Sequence, residues 1–174
     1  MNLKIISGGQ TGADQGGLEG AFMAGFETGG FIPRGYKTED GPMPELGNKF
    51  GLVEAPSSDY VYRTQLNAQL SDMTLWFGSS NSSGFFATSK ACNMYNKPFY
   101  NVTNYSVDDI VKLIKLEDPY VINIAGNRES KARGLQEKVA NIVFNVLTKL
   151  KKSKTFRCKK LSIKPKRKVI KCKC

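Results

Sequence analysis

The sequence predicts an α/β fold, a three-layer Rossmann-like domain with a mainly parallel sheet. Short apolar segments alternate along the chain with amphipathic helical segments, and several apolar segments end in glycine-rich turns that lead into helices. The chain has 174 residues, 40% hydrophobic and 24% charged, which is the size and composition of one folded domain with a short extension. We therefore expect one ligand-binding domain over residues 1–150 and a basic, Lys/Cys-rich, disordered tail over residues 151–174.

The first third of the chain predicts two strands, the helix between them and a long loop. Leu3 to Ser7 is a β-branched run that enters a glycine turn, and residues 13–25 then show helical spacing of their apolar positions. Gly29 to Ile32 is the second predicted strand. Residues 34–56 are rich in glycine, proline and charge and show neither a helical nor a strand period, so we predict a long irregular loop. A loop of this length in a compact domain is either functional or a wrongly assigned segment.

The rest of the chain continues the alternation. A helical pattern runs from Ser58 to Leu70, and Met73 to Phe77 is a nearly continuous apolar run, as in a buried parallel strand. The remaining predicted elements are a Gly/Ser turn at 78–84, a helix at 85–95, a strand at 99–102, a helix from Ser106, a strand at 120–125 and a closing helix at 135–150. Because helices alternate with strands, the strands are expected to pair in parallel.

The formal net charge of +11 belongs to the end of the chain. Residues 149–174 hold 13 of the 26 basic residues and no acid, so residues 1–148 hold 13 basic residues and all 15 acids, a net charge of −2. We expect nonspecific nucleic-acid contact through the tail, with a simply solvated tail as the alternative. Residues 165–168, Pro-Lys-Arg-Lys, also resemble a nuclear import signal.

The apolar runs are too short for a membrane span, and the N-terminus lacks a charged leader followed by a long apolar stretch. These two observations favour a cytoplasmic location. A nuclear location through the basic tail is the alternative.

The chain contains no histidine, which excludes Ser-His-Asp and Cys-His nucleophile systems and histidine-ligated zinc. Any acid–base catalysis would therefore have to use carboxylates, lysine, tyrosine or cysteine. Three of the four cysteines, Cys158, Cys172 and Cys174, lie in the tail without the paired spacing of a four-ligand zinc site. We therefore predict no metal site and reduced thiols.

Five polar segments follow predicted strands or open predicted helices, and the ligand of an open parallel sheet lies beyond the carboxyl ends of its strands. The first is Ser7 to Asp14, SGGQTGAD, whose glycines would let the amides of Gln10, Thr11 and Gly12 contact an anion at a helix N-terminus. The alternative is an ordinary turn in which Thr11 caps the helix.

The other four segments supply charged and small polar side chains. Phe31 to Pro44 carries Arg34 and Lys37 for phosphate or carboxylate and Glu39 and Asp40 as acceptors. The others are Arg63-Thr64 with Asn67 on one helix face, the small-residue turn at 78–88, and AGNRES at 125–130, in which Arg128 supplies a planar fork for an anion. Each segment also has a purely structural explanation. The alternatives are the charges of a solvated loop, the polar residues of an exposed helix face and, for the charged residues at 125–130, an ion pair at a helix start.

These segments resemble those of the molybdenum carrier family and occur in the same order. They are ISGGQTGAD, GGFIPRGYKTEDGPMP, Tyr62-Arg63-Thr64 with Asn67, the strand entry at 71–75, the Gly/Ser turn ending in Thr88, Lys97-Pro98 and AGNRES. The resemblance covers residues 3–150. The family lies within the Rossmann-like superfamily that includes the lysine-decarboxylase-like LOG proteins.

The resemblance implies a homo-oligomer of Rossmann-like domains with a positively lined pocket for a small phosphorylated ligand. The ligand of the carriers is the molybdenum cofactor, a pterin monophosphate. The residues that would line this pocket, carried over by motif, are Gly8, Gly9, Gln10, Thr11, Gly12, Arg34, Gly35, Arg63, Thr64, Ser83, Gly84, Thr88 and Arg128.

The sequence departs from the family pattern in two loops that would contact phosphate. Ser83-Gly84 stands where the family has Gly-Gly, with one extra residue, and Gly126-Asn127 stands where the family has Gly-Pro before Arg-Glu-Ser. The ligand is therefore expected to be a phosphorylated pterin or a nucleotide-like molecule.

The same superfamily also contains nucleotide hydrolases and nucleotide sensors. A nucleotide N-glycoside or phosphoester hydrolase would need an acid or base, for which the candidates are Asp14, Glu39, Asp40 and Glu129. None of the four lies in the PGGxGTxxE motif of the hydrolytic relatives, so we favour a binding protein over a hydrolase.

Overall fold

The computed structural model describes residues 3–161, and the side chains of residues 3–153. Its strands are β1 (Lys4–Ser7), β2 (Glu27–Ile32), β3 (Lys37–Thr38), β4 (Gly41–Pro42), β5 (Leu52–Glu54), β6 (Met73–Phe77), β7 (Phe99–Asn101) and β8 (Val121–Gly126). Its helices are α1 (Ala13–Met23), α2 (Glu45–Phe50), α3 (Tyr60–Leu70), α4 (Ser83–Met94), α5 (Val107–Glu117) and α6 (Leu135–Leu161), with a 3₁₀ turn at Glu129–Lys131.

Six of these strands form one parallel sheet in the order β5-β2-β1-β8-β6-β7. The last strand in the chain, β8, lies in the centre between β1 and β6, with Ile5 opposite Ile122 and Leu75 opposite Ile124. This insertion brings the loops that follow β1, β8 and β6 side by side at the carboxyl edge of the sheet. The predicted α/β, Rossmann-like fold is confirmed.

Helices cover both faces of the sheet. On one face α1 and α5 pack against α6, and on the other α3 packs against α4. The main apolar core lies on the first face, where alternate strand residues such as Leu75, Phe77 and Ile124 meet Val139 and Leu147 of α6. Full burial of each such side chain contributes about 1.5–3 kcal/mol. The second face carries a smaller cluster, in which Ala68 of α3 packs near Ala91 and Cys92 of α4.

The prediction of an irregular loop over residues 34–56 is wrong. This segment contains the β3–β4 hairpin, the short helix α2 and the edge strand β5, which pairs in parallel with β2. Leu46, Phe50 and Leu52 pack against Leu18 and Ile32 in a second core. Elements of two to six residues are too short to produce a detectable hydrophobic period, so their order comes from these distant contacts.

The closing helix continues past the predicted end at residue 150 as far as Leu161, which differs from the disorder predicted for the first residues of the tail. Residues 162–174 lie outside the described residues, and with them Cys172, Cys174 and the Pro-Lys-Arg-Lys motif. The side chain of Cys158 is also outside the described part. Across the described residues, no helix is both long and apolar enough to cross a membrane.

Candidate functional site

A cleft of about 1070 Å³ opens at the carboxyl edge of the sheet. It lies between the loops that follow β1, β6, β7 and β8 and the first turns of α3 and α4. Its volume is at the upper end of the range for small-molecule sites. Of the predicted site residues, the cleft brings together Gln10, Asp14, Arg63, Thr64, Ser83, Gly84, Thr88 and Arg128.

The β1–α1 loop does not present its amides to the cleft. The N–H of Gln10 donates to Asp14 (3.3 Å), that of Thr11 to the Gln10 side chain (3.0 Å), and that of Gly12 to the Gln136 side chain (3.2 Å). The expected anion contact by these three amides is therefore absent in this conformation. Thr11 does not cap α1 either, because Gly12 is the N-cap residue and the Thr11 hydroxyl donates to Glu39.

A buried ion pair forms the floor of the cleft at this point. Arg63 Nη2 lies 3.2 Å from Asp14 Oδ2, and the two side chains are 13% and 3% exposed. Burial raises the pKa of Asp14, while the Arg63 guanidinium opposes that rise. The guanidinium lies over Gly8, where a Cβ atom would come within 2.0 Å of Arg63 Nη1. A side chain at position 8 would therefore displace the Arg63 guanidinium from this place.

The other polar residues of α3 divide between the site and the fold. Thr64 lines the cleft, and its hydroxyl donates to the Tyr60 carbonyl at 2.8 Å. Asn67 is buried and holds the backbone of Phe31, accepting from its N–H (2.8 Å) and donating to its carbonyl (2.9 Å). Asn67 therefore anchors α3 to β2, and it does not line the cleft.

The first turn of α4 presents backbone N–H groups at the cleft. Ser82 caps the helix by accepting from the Phe85 N–H at 3.2 Å. The N–H groups of Ser83 and Gly84 precede the first intrahelical hydrogen bond, so they have no acceptor within the helix and lie at its positive end. Thr88, one turn later, is also on the cleft wall.

Asn127 holds the loop in front of this helix. Its Oδ1 accepts from the Ser79 N–H at 2.5 Å, and a Cβ atom on Gly78 would lie 2.0 Å from the same oxygen. The Thr103 hydroxyl fixes Gly78 from the other side, donating to its carbonyl (2.9 Å) and accepting from its N–H (2.8 Å). A proline at position 127 has no side-chain acceptor, so this departure from the family pattern changes how the loop is held.

Cations outnumber acids around the cleft. Arg63, Arg128 and Lys131 line it, and Asp14 is the one acid among the lining residues. Arg128 also stacks on the Tyr60 ring, with its guanidinium carbon 4.6 Å from the ring centroid, and Lys37 Nζ lies 5.3 Å from the same centroid. This arrangement orients Arg128 at the rim of the cleft and favours an anionic ligand.

Three of the four candidate acids do not line the cleft. Although burial raises the pKa of Glu39, hydrogen bonds from Ser130 and Thr11 lower it below the ordinary value. Glu129 accepts from the Gly134 N–H and from the Gln136 N–H (2.9 Å), and so caps the start of α6. Asp40 is exposed on the β3–β4 hairpin.

The remaining predicted residues also lie away from the cleft lining. Gly9, Thr11 and Gly12 support the β1–α1 loop, with positive φ at both glycines. Arg34 is exposed and binds Ser57 through its backbone, and the Gly35 N–H donates to Glu54.

Sequence reasoning did not find Tyr60, Trp76, Thr103 and Lys131, which line the cleft. Trp76 lies in a strand whose nearly continuous apolar sequence indicates burial of both faces, so the sequence did not single out Trp76 as a cleft residue. Tyr60 and Lys131 adjoin the predicted segments, and a wider window around Arg63 and Arg128 would have included them. Among the residues that the structure describes, there is no cluster of three Cys, Asp or Glu residues that could hold a metal ion.

Comparison with known proteins gives two matches. Residues 5–147 match the model of the circularly permuted YpsA family of SLOG proteins. The fold is similar to the crystal structure of the "putative molybdenum carrier protein" from Syntrophus aciditrophicus, with a TM-score of 0.69 and 34% sequence identity over 83% of this chain and 91% of that chain. No curated protein matches the chain significantly.

Proposed function

The chain belongs to the circularly permuted YpsA family of SLOG proteins and is molybdenum-carrier-like, and from this premise we propose that its cleft binds a small phosphorylated ligand carrying a pterin or nucleotide-like ring. In this role the protein holds its ligand as cargo. The molybdenum cofactor, a pterin phosphate, is the ligand that the similarity to a molybdenum carrier favours.

The single observation that carries this proposal is the first turn of α4. The N–H groups of Ser83 and Gly84 point toward the N-terminal end of a twelve-residue helix whose first turns line the cleft. Phosphate binds such helix ends because free N–H donors and the positive end of the helix dipole coincide there. Arg128 and Lys131 add positive charge from the β8 side of the same cleft.

The test is a titration of the full chain with guanosine monophosphate, a stable molecule whose base shares the amino-oxo pyrimidine ring of pterins. We compare Arg128→Gln with Arg133→Gln, a matched control, because Arg133 is exposed and does not line the cleft. Both variants lose one positive charge. Loss of a charge-assisted contact of about 1.5–3 kcal/mol weakens binding by roughly 10- to 150-fold.

Calorimetry and native mass spectrometry would measure the binding. The expected result is a large loss of affinity in Arg128→Gln and wild-type affinity in Arg133→Gln. Equal affinities in the two variants would count against the cleft as the binding site.

A hydrolase is the second candidate function, and Asp14 is the observation that favours it. Asp14 is the one candidate acid on the cleft wall, and burial raises its pKa toward the range of a general acid or base. Release of the free base or of phosphate from nucleoside monophosphates, followed by chromatography, tests this function. Turnover that survives Asp14→Asn would eliminate this residue as the acid or base.

Three further proposals rest on the resemblance and on composition. They are that the chain forms a homo-oligomer, that it is cytoplasmic or nuclear, and that the basic tail contacts nucleic acid nonspecifically. Sedimentation of the full chain tests the first and fluorescence imaging of the tagged chain tests the second. Salt-dependent retention on DNA with and without residues 162–174 tests the third.

A further inference from the structure

Three buried side-chain N–H donors among the described residues have no acceptor: Gln10 Nε2, Arg63 Nε and Trp76 Nε1. All three residues line the cleft, and Gln10 and Trp76 are only 4% and 1% exposed. Buried N–H groups nearly always have a partner in folded proteins, because leaving one unpaired costs the full desolvation energy. Three unpaired donors in one cleft indicate that the missing acceptors belong to a ligand.

The three donors border one depression in the sheet. Ser7 is opposite Ile124 and Trp76 is opposite Ala125, so Gly8, Ala125 and Trp76 form a row across β1, β8 and β6. Neighbouring strands are about 4.8 Å apart, which separates Gly8 from Trp76 by roughly 10 Å. The Arg63 guanidinium covers Gly8, and Ala125, a cleft-lining residue with a short side chain, lies between Gly8 and Trp76 in this row.

Gln10 extends the same wall from the β1–α1 loop. Its Oε1 already accepts from the N–H groups of Thr11 (3.0 Å) and Glu39 (2.9 Å), on the hairpin side of the loop. The Gln10 Nε2 group is therefore the end of this side chain that remains available to donate into the cleft. Asp14 lies next to it, within 3.3 Å of the Gln10 backbone nitrogen, and is paired with Arg63.

We infer that the depression above Ala125 is a subsite for a carbonyl-bearing heterocyclic ring, which accepts hydrogen bonds from Gln10, Arg63 and Trp76. This inference rests on the proposed function and adds a second subsite to the phosphate subsite at α4. A neutral carbonyl fits better than a second oxyanion, because Asp14 Oδ2 already lies 3.2 Å from the Arg63 guanidinium and occupies the positive charge that an oxyanion would need. The donors therefore select the ring of the ligand, and α4 binds its phosphate.

The test uses two substitutions that remove one donor each and keep the shape of the site. Trp76→Phe removes the indole N–H and keeps an aromatic ring against Phe85 and Phe99. Gln10→Glu keeps the oxygen that accepts from Thr11 and Glu39 and replaces the donor with an oxygen. Ser89→Ala, on α4 but outside the cleft lining, is the control.

Calorimetry with guanosine monophosphate, ribose 5-phosphate and inorganic phosphate separates the two subsites, because only the first of these ligands carries a ring with a carbonyl. Loss of one hydrogen bond predicts a three- to tenfold weaker binding of guanosine monophosphate by Trp76→Phe, about 0.5–1.5 kcal/mol. Gln10→Glu, which places an acceptor against an acceptor, is expected to weaken it more than tenfold. Ribose 5-phosphate should bind Trp76→Phe and Ser89→Ala like the wild type.

Fluorescence gives a second, independent measurement. Trp76 is the one tryptophan of the chain, so its emission reports on this subsite alone. Guanosine monophosphate should shift the emission of the wild-type protein, and ribose 5-phosphate should not. Thermal unfolding of each variant checks that it is folded.

The outcomes distinguish this inference from the proposed function. If both variants bind guanosine monophosphate like the wild type, the ring subsite is refuted and the phosphate subsite stands. If Trp76→Phe weakens inorganic phosphate and ribose 5-phosphate as much as guanosine monophosphate, the donors bind an oxyanion and the ring assignment is refuted. Absence of binding of all three ligands by the wild type refutes the proposed function and this inference with it.

Discussion

Substitution of Arg63 by methionine should destabilise the protein in a pH-dependent way. Asp14 and Arg63 are 3% and 13% exposed and form the ion pair at 3.2 Å. Removing one partner of a buried pair costs about 3–5 kcal/mol, because the other charge stays buried and uncompensated. We expect Arg63→Met to lose that much unfolding free energy at pH 8, which is a large part of the stability of a typical domain.

The sign of the pH dependence follows from the Asp14 pKa. In the wild type, burial raises this pKa from 3.8 while Arg63 opposes the rise, so removal of Arg63 raises it further. Between the Asp14 pKa of the folded wild type and the Asp14 pKa of the folded variant, the folded variant therefore binds more protons than the folded wild type. Its stability deficit is full above the higher pKa and shrinks as the pH falls and Asp14 becomes protonated.

Urea denaturation of both proteins at pH 5 and pH 8 measures the deficit. The control is the double variant Arg63→Met with Asp14→Asn, which removes both charges and should recover most of the lost stability at pH 8. A deficit that is the same at both pH values, or a double variant as unstable as the single one, would contradict this prediction.

Three further outcomes are expected. Asn127→Ala should free the loop at Gly78 and Ser79 at a cost of about 1–3 kcal/mol, and hydrogen exchange at the Ser79 amide should accelerate while the α6 amides stay protected. Glu129→Ala should lower the unfolding free energy by about 1 kcal/mol through loss of the α6 cap, and Glu129→Gln, which keeps an acceptor, should lose less in the same denaturation measurement. The folded-state pKa of Glu39 lies below 4.5, so this carboxylate stabilises the fold above that pH. The stabilisation is lost as the pH falls through the folded-state pKa. Glu39→Gln should therefore show a shallower acid transition by circular dichroism than the wild type.

The fold was predictable because each strand and helix carries its own periodic signal. Met73 to Phe77 is apolar except for Thr74, which is typical of a strand buried on both faces, and the apolar positions of α6 recur at helical spacing. The segment at 34–56 was not predictable, because α2 and β5 depend on contacts with Leu18 and Ile32 that lie outside any local window. Local pattern is thus informative only where an element is long enough to repeat it.

The candidate site was predictable as a place and only partly as a set of contacts. Parallel strands end at one edge, so polar loops after β1, β6 and β8 had to meet there. Competition among donors and acceptors then decided which groups face a ligand. The amides of Thr11 and Gly12 are taken by the side chains of Gln10 and Gln136, and the latter is 124 residues away in the chain from Gly12.

The α/β class, the glycine turns at the strand ends and the concentration of positive charge in the tail follow from neighbouring residues alone. In contrast, the position of β8 between β1 and β6, the pairing of Arg63 with Asp14 and the shared cleft of Trp76 and Gln10 are seen only in the folded chain. Strand order and ion pairing depend on the packing of the whole chain. Hydrophobic periodicity reports only which face of one element is buried.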